Sequence, residues 1–258
     1  MTRRFCCPHF SIILGSLFLA APAFVQAAEW GSISGRFVYG GDAPAPVTLT
    51  VDKDVDVCGK HNLLNEELVV GEDMGVANIV IFVRDRKIDV HPDLKATEPV
   101  VLDNLNCRFT PHVVFVQTGQ ELIVKNSDPV GHNSNVATLK NPASNSLIPA
   151  SGEIKVTFRS DEAVPAAVTC NIHPWMKGWV VVRDNPYAAV TGEDGSFTIE
   201  KLPAGEVELQ FWHEKAGYLD SIVIGGKKTS VKRGRMDVEV DADGTDLGEM
   251  VLEPAVFK

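Results

Sequence analysis

Basic side chains are scarce in this chain: 24 lysines and arginines stand against 34 aspartates and glutamates, a formal net charge of −10 over 258 residues. That balance argues against nucleic acid and anionic membrane surfaces as partners, because both are held by a positive face. Long apolar runs are scarce too. The extended one, Phe10 to Phe24, lies between Arg3-Arg4 and the small-residue stretch Val25-Gln26-Ala27-Ala28, and it is shorter than the roughly 20 residues a membrane helix needs. Basic, apolar, then small is the order of a cleavable secretory leader, expected over residues 1–28. The mature chain is therefore expected in the periplasm or secreted, with no membrane attachment once the leader is gone. Cys6 and Cys7 precede the apolar run, which argues against a lipid anchor. Loss of Arg3 and Arg4 with the leader takes the net charge from −10 to −12. This acidity keeps an exported protein soluble and gives a field that can steer a positively charged redox partner.

Cysteine is the next scarcity: after the leader only Cys58, Cys107 and Cys170 remain. In an oxidising compartment two are expected to pair, and the third needs a reason to stay reduced. A Cys58–Cys107 disulfide with Cys170 as a metal-bound thiolate satisfies both demands. The alternative is that Cys58 and Cys107 are buried thiols.

Helical periodicity is missing as well. Short apolar or alternating runs bounded by Gly, Pro, Asn and Asp dominate from Trp30 onward, the pattern of an all-β sandwich. Strands are expected at 32–39, 47–51, 76–84, 113–117, 121–125, 135–137, 154–158, 166–169 and 179–183. The stretch 85–111, with Pro92, Pro99 and Pro111, reads as loop with at most a short strand at 100–102. Asp184-Asn185-Pro186 is a turn-forming cluster, after which hairpin patterning restarts around Gly192-Glu193-Asp194-Gly195 and Leu202-Pro203-Ala204-Gly205. The expected division is a domain over 29–185 and a smaller β-sandwich over 186–258, separable at that turn.

Against these scarcities stands one dense cluster, Cys170-Asn171-Ile172-His173-Pro174-Trp175-Met176. A thiolate, an imidazole and a thioether within seven residues suit copper, whose trigonal sites take two His and one Cys with a weak axial Met. Cys and His three apart cannot share a strand face, so they belong on a loop, which Pro174 stiffens and Trp175 shields. The further His is His132, reached where the apolar run at 121–125 ends in a turn. Each residue alone is an ordinary loop or core residue; the four in this order point to a metal. A Cys170–His173 catalytic dyad explains neither His132 nor Met176 and has no evident orienting acid, so enzyme chemistry is not expected. His112 and His213 stay unassigned between a second metal site, a domain interface and a plain structural role. A type 2 copper enzyme needs a further His cluster that the chain does not assemble.

These residues resemble the cupredoxin family of small blue copper proteins. The Cys-x2-His-x2-Met loop with Pro after its His is similar to that of the amicyanins, and the approach from Gly119-Gln120 through Asn126 to His132-Asn133 is similar to the family's first-ligand segment. A departure is Val130-Gly131 before the first His, where the family often has proline. The resemblance implies a Greek-key β-sandwich binding one copper ion per chain, with His132, Cys170 and His173 equatorial and Met176 axial. It also implies that Asn133 ties the ligand loops together and that a near-surface His173 conducts the electron. Asn106 to His112 and Trp212-His213-Glu214 extend the likeness to exported bacterial proteins of methylamine-utilisation-like type. The C-terminal part resembles carboxypeptidase-regulatory or transthyretin-like sandwiches. The functional expectation is one-electron transfer with a redox protein partner. The alternative is a copper-handling or surface-binding module with a structural metal.

Overall fold

The computed structural model describes residues 1–2, 29–96 and 98–258, so the expected leader lies, but for its first two residues, outside the described part. Among the described residues no helix is long and apolar enough to cross a membrane. Over the described residues the chain is all-β, with one α-helical turn, Val55–Cys58, and three short 3-10 turns.

Four sheets of the described residues stack as two sandwiches. In the first, a five-stranded sheet runs in the order Val113–Gln117, Lys177–Arg183, Ala166–Thr169, His132–Ala137, Ser144–Ile148. A four-stranded sheet, Arg108–Thr110, Val100–Leu105, Glu121–Asn126, Glu153–Thr157, shares its core. Alternation sets the packing. Val114, Val116, Val180 and Val182 face this core together with Leu102, Leu122 and Val124, as the two-residue period of a strand requires.

The opposite faces of Val113–Gln117 and Lys177–Arg183 are also buried. Val113, Val181, Phe115 and Trp179 pack against Val80, Phe82, Trp212 and Tyr218, a second apolar layer between the sandwiches. Val80–Val83 is apolar at each position for this reason. Its even residues enter the seam, while Ile81 and Val83 enter the core of the second sandwich. A strand covered on both faces reads as a continuous hydrophobic run.

The expected division at Asp184 does not hold. Trp30–Tyr39, assigned to the first domain, lies in a sheet of the second sandwich between Ser196–Pro203 and Thr245–Leu252, antiparallel to one and parallel to the other. Val80–Val83 likewise sits between Ala188–Val190 and Gly205–His213. The second sandwich thus takes its strands from both ends of the chain. Gly195 marks the close approach: its φ is +76°, and a Cβ there would lie 2.1 Å from the carbonyl oxygen of Phe37. Asn185, read as part of a linker, is 2 % exposed. Its side-chain amide donates to Val83 O and Asp85 O, and its Oδ1 accepts from Tyr187 N, so it forms a packed corner.

Two further expectations change. The stretch 47–51 forms a single bridge, Thr48 to Leu64, in place of a strand. The stretch expected as loop contains a hairpin, Val100–Leu105 and Arg108–Thr110, turned by Asn106 and Cys107 at φ 57° and 56°. Two left-handed residues are the geometry of a two-residue hairpin turn, normally signalled by Gly, which is absent here.

Candidate metal centre

His132 begins the strand His132–Ala137, while Cys170 to Met176 fill the turn between Ala166–Thr169 and Lys177–Arg183. Antiparallel pairing of these strands, Thr169 with Asn135 and Thr169 with Lys177, brings the turn over the start of the His132 strand. The turn is closed by Cys170 N donating to Met176 O and Met176 N to His173 O. Asn133 Oδ1 accepts from Asn171 N at 2.7 Å and Ile172 N at 3.3 Å, tying the two ligand segments together.

His132, Cys170 and His173 converge, with one donor atom from each within 4.8 Å of the others. Cys170 Sγ lies 4.0 Å from His132 Nδ1 and 3.7 Å from His173 Nδ1. Both imidazoles are 0 % exposed and Cys170 is 2 % exposed. Met176, 2 % exposed, is buried in the same apolar core as Cys170. Cys107, Asp128 and His132 also lie close together, but Cys107 is bonded to Cys58 across a Cα–Cα distance of 5.5 Å, leaving Cys170 as the free thiol among the described residues.

Each imidazole has its second nitrogen committed. His132 Nε2 donates to Asp128 Oδ2 at 2.9 Å and His173 Nε2 to Asp54 Oδ2 at 2.8 Å, since a carboxylate only accepts. The two Nδ1 atoms then face one another at 2.9 Å. Two lone pairs aimed at each other beside a sulfur need a proton or a cation between them. In the metal-free chain a proton serves. Burial alone would lower His132, but its hydrogen bonds to Asp128 and Cys170 raise it to about 9. Burial would likewise raise Cys170, yet hydrogen bonds from His132, the Asn133 backbone and His173 lower it to about 6. A cation in place of that proton finds one thiolate and two imidazoles, and carboxylate-held imidazoles are the usual support of metal ligands.

Asp54 and Asp128 are the partners the sequence did not reveal. Asp128 also accepts from Asn106 N and Cys107 N, holding the left-handed hairpin turn; its position four residues before His132 was the available signal. Nothing near Asp54 in the sequence marks it. One role is corrected. His173 was expected near the surface, but Asp54 covers its outer nitrogen and the Trp175 ring lies 5.1 Å away, so it has no exposed edge. Trp175 is fixed by donation to Cys107 O.

His112 and His213 sit away from this centre. His112 Nε2 donates to the buried Glu214 at 2.7 Å, across the seam between the sandwiches. Glu214 also accepts from Trp179 Nε1 and pairs with Lys177, and these contacts outweigh burial to lower it to about 2. His213 is fully buried against Phe257, and burial lowers it to about 4.

No protein-family model and no curated protein matches the chain. Among solved structures, amicyanin from Paracoccus versutus is 20 % identical over 40 % of this chain and 97 % of its own, with a TM-score of 0.30. A purple cupredoxin from Nitrosopumilus maritimus is 20 % identical over 33 % of this chain and 99 % of its own, with a TM-score of 0.28. The copper-containing nitrite reductase of Thermus scotoductus SA-01 is 22 % identical over 33 % of this chain, which spans 22 % of that enzyme, with a TM-score of 0.30.

Proposed function

We propose that this chain is an exported one-electron carrier with a single type 1 copper ion held by His132, Cys170, His173 and Met176. The observation that carries the reading is the buried convergence of one thiol and two imidazole Nδ1 atoms, each imidazole oriented by its own carboxylate. Two His and one Cys with a weak axial Met is the donor set that tolerates both oxidation states of copper. Bound copper supplies the redox change. The chain's residues supply rigidity: the turn closed by Cys170 and Met176, its tie to Asn133, and Pro174 keep the ligand geometry fixed. Buried ligands exclude water, and Trp175 beside His173 takes the outward-facing place that an exposed imidazole edge would have had. No catalytic step is assigned. The second sandwich, similar to carboxypeptidase-regulatory-like modules, is read as a scaffold, and the partner as a redox protein met outside the cytoplasm.

Titration of the metal-free protein with Cu(II) tests this. One equivalent should bind and produce an intense visible thiolate-to-copper band, which Cys170→Ser should abolish because a hydroxyl is a harder, far less covalent donor. A copper-loaded wild type that stays colourless under oxidising conditions defeats the proposal.

A further inference from the structure

We infer that Asp54 is a positioning residue of the metal centre, fixing His173 through its outer nitrogen and biasing bound copper toward its oxidised state. The inference rests on the copper reading above and goes beyond it, since Asp54 lies 119 residues from its histidine. Three observations meet at this residue. Its Oδ2 stands 2.8 Å from His173 Nε2, the nitrogen that does not face Cys170 or His132. Its backbone is left-handed, φ 44° and ψ 42°, a conformation open to Gly, Asn and Asp but disfavoured for most other side chains. Its side chain makes no cap to the helical turn it precedes, although its carbonyl accepts from Val57 N and Cys58 N. The carboxylate is thus turned to the histidine while the backbone alone holds the turn.

The segment carrying Asp54 is also fastened to the site. The turn ends at Cys58, bonded to Cys107. Cys107 O accepts from Trp175 Nε1, and Cys107 N donates to the Asp128 carboxylate that holds His132. One cross-link therefore connects the supports of both imidazoles. A carboxylate on a ligand histidine fixes its tautomer with the proton on Nε2, leaves Nδ1 for the metal and makes the ring a stronger donor. The stronger donor and nearby negative charge favour the more highly charged oxidation state.

Asp54→Asn and Asp54→Gly test this, because both residues tolerate the left-handed backbone. Asn keeps an acceptor oxygen and removes the charge; Gly removes both. We expect Asp54→Asn to keep one copper per chain and the thiolate band while Cu(II) affinity falls about 10- to 100-fold, the usual range for such outer partners. With Cu(I) affinity unchanged, each tenfold loss raises the reduction potential by about 59 mV. Asp54→Gly should raise it as well and broaden the Cu(II) spin-resonance spectrum as His173 loses its fixed orientation. Potentials and spectra equal to wild type in both variants overturn the inference. Absence of the thiolate band from the wild type would defeat the copper reading instead. The nitrogen resonances of His173 in metal-free protein then decide Asp54 separately: an Nε2–H tautomer lost in Asp54→Gly upholds its role, and one unchanged overturns it.

Discussion

At the scale of single residues, the grouping of His132, Cys170 and His173 was legible and the carboxylates behind the two imidazoles were not. In the sequence His132, Cys170, His173 and Met176 stand out as two imidazoles, a thiol and a thioether; the folded chain brings the first three together and buries Met176 in the same core as Cys170. Asp54 and Asp128 are two among 34 acidic residues, and only the folded chain shows which carboxylates meet an imidazole. Met176 tests how the donors divide the work. Its bond in such a site is long and weak, so Met176→Gln should leave a coloured, copper-loaded protein with a lower reduction potential, because an amide oxygen favours the oxidised ion. Protein-film voltammetry and copper analysis read both quantities. Loss of all copper would make Met176 a primary ligand in a different geometry.

At the scale of elements, strand positions followed from alternation wherever one face is buried, as at Glu121–Asn126 and Ala166–Thr169. Reading failed where pairing depended on partners far away. Asn106-Cys107 lacks the usual glycine signal because Asp128 accepts both backbone donors of that turn. The stretch 47–51 has strand composition, but its pairing reaches a single bridge. The Cys58–Cys107 bond closes a sequence separation of 49, and a loop of that size stabilises by about 4 kcal/mol in the chain-entropy view. Trp30–Tyr39 and Val80–Val83 carry an element-level prediction. A chain ending at Asn185 removes the partners of both and exposes Val80, Phe82, Trp179 and Val181. It should lose its cooperative thermal transition, followed by circular dichroism, and should aggregate rather than take up copper. A cooperative melt with copper bound would show that the first sandwich stands alone.

At the scale of the whole molecule, the separable two-domain reading gives way to two sandwiches sharing a seam. A turn cluster in the sequence marks a change of direction, and it cannot report whether the chain that follows returns to pair with an earlier strand. His112 and Glu214 explain two motifs that the metal left unused: they join the sandwiches beneath Trp179 and Lys177. Breaking such a buried pair typically costs about 3–5 kcal/mol, so the centre is mounted on a body larger than its own sandwich. The central claim, that the centre exists to pass electrons rather than to carry copper, is tested most directly by cyclic voltammetry of the copper-loaded protein. The account predicts a reversible one-electron couple that persists over repeated cycles with the copper content unchanged. An irreversible wave with copper released on reduction would contradict it and favour a copper-handling module.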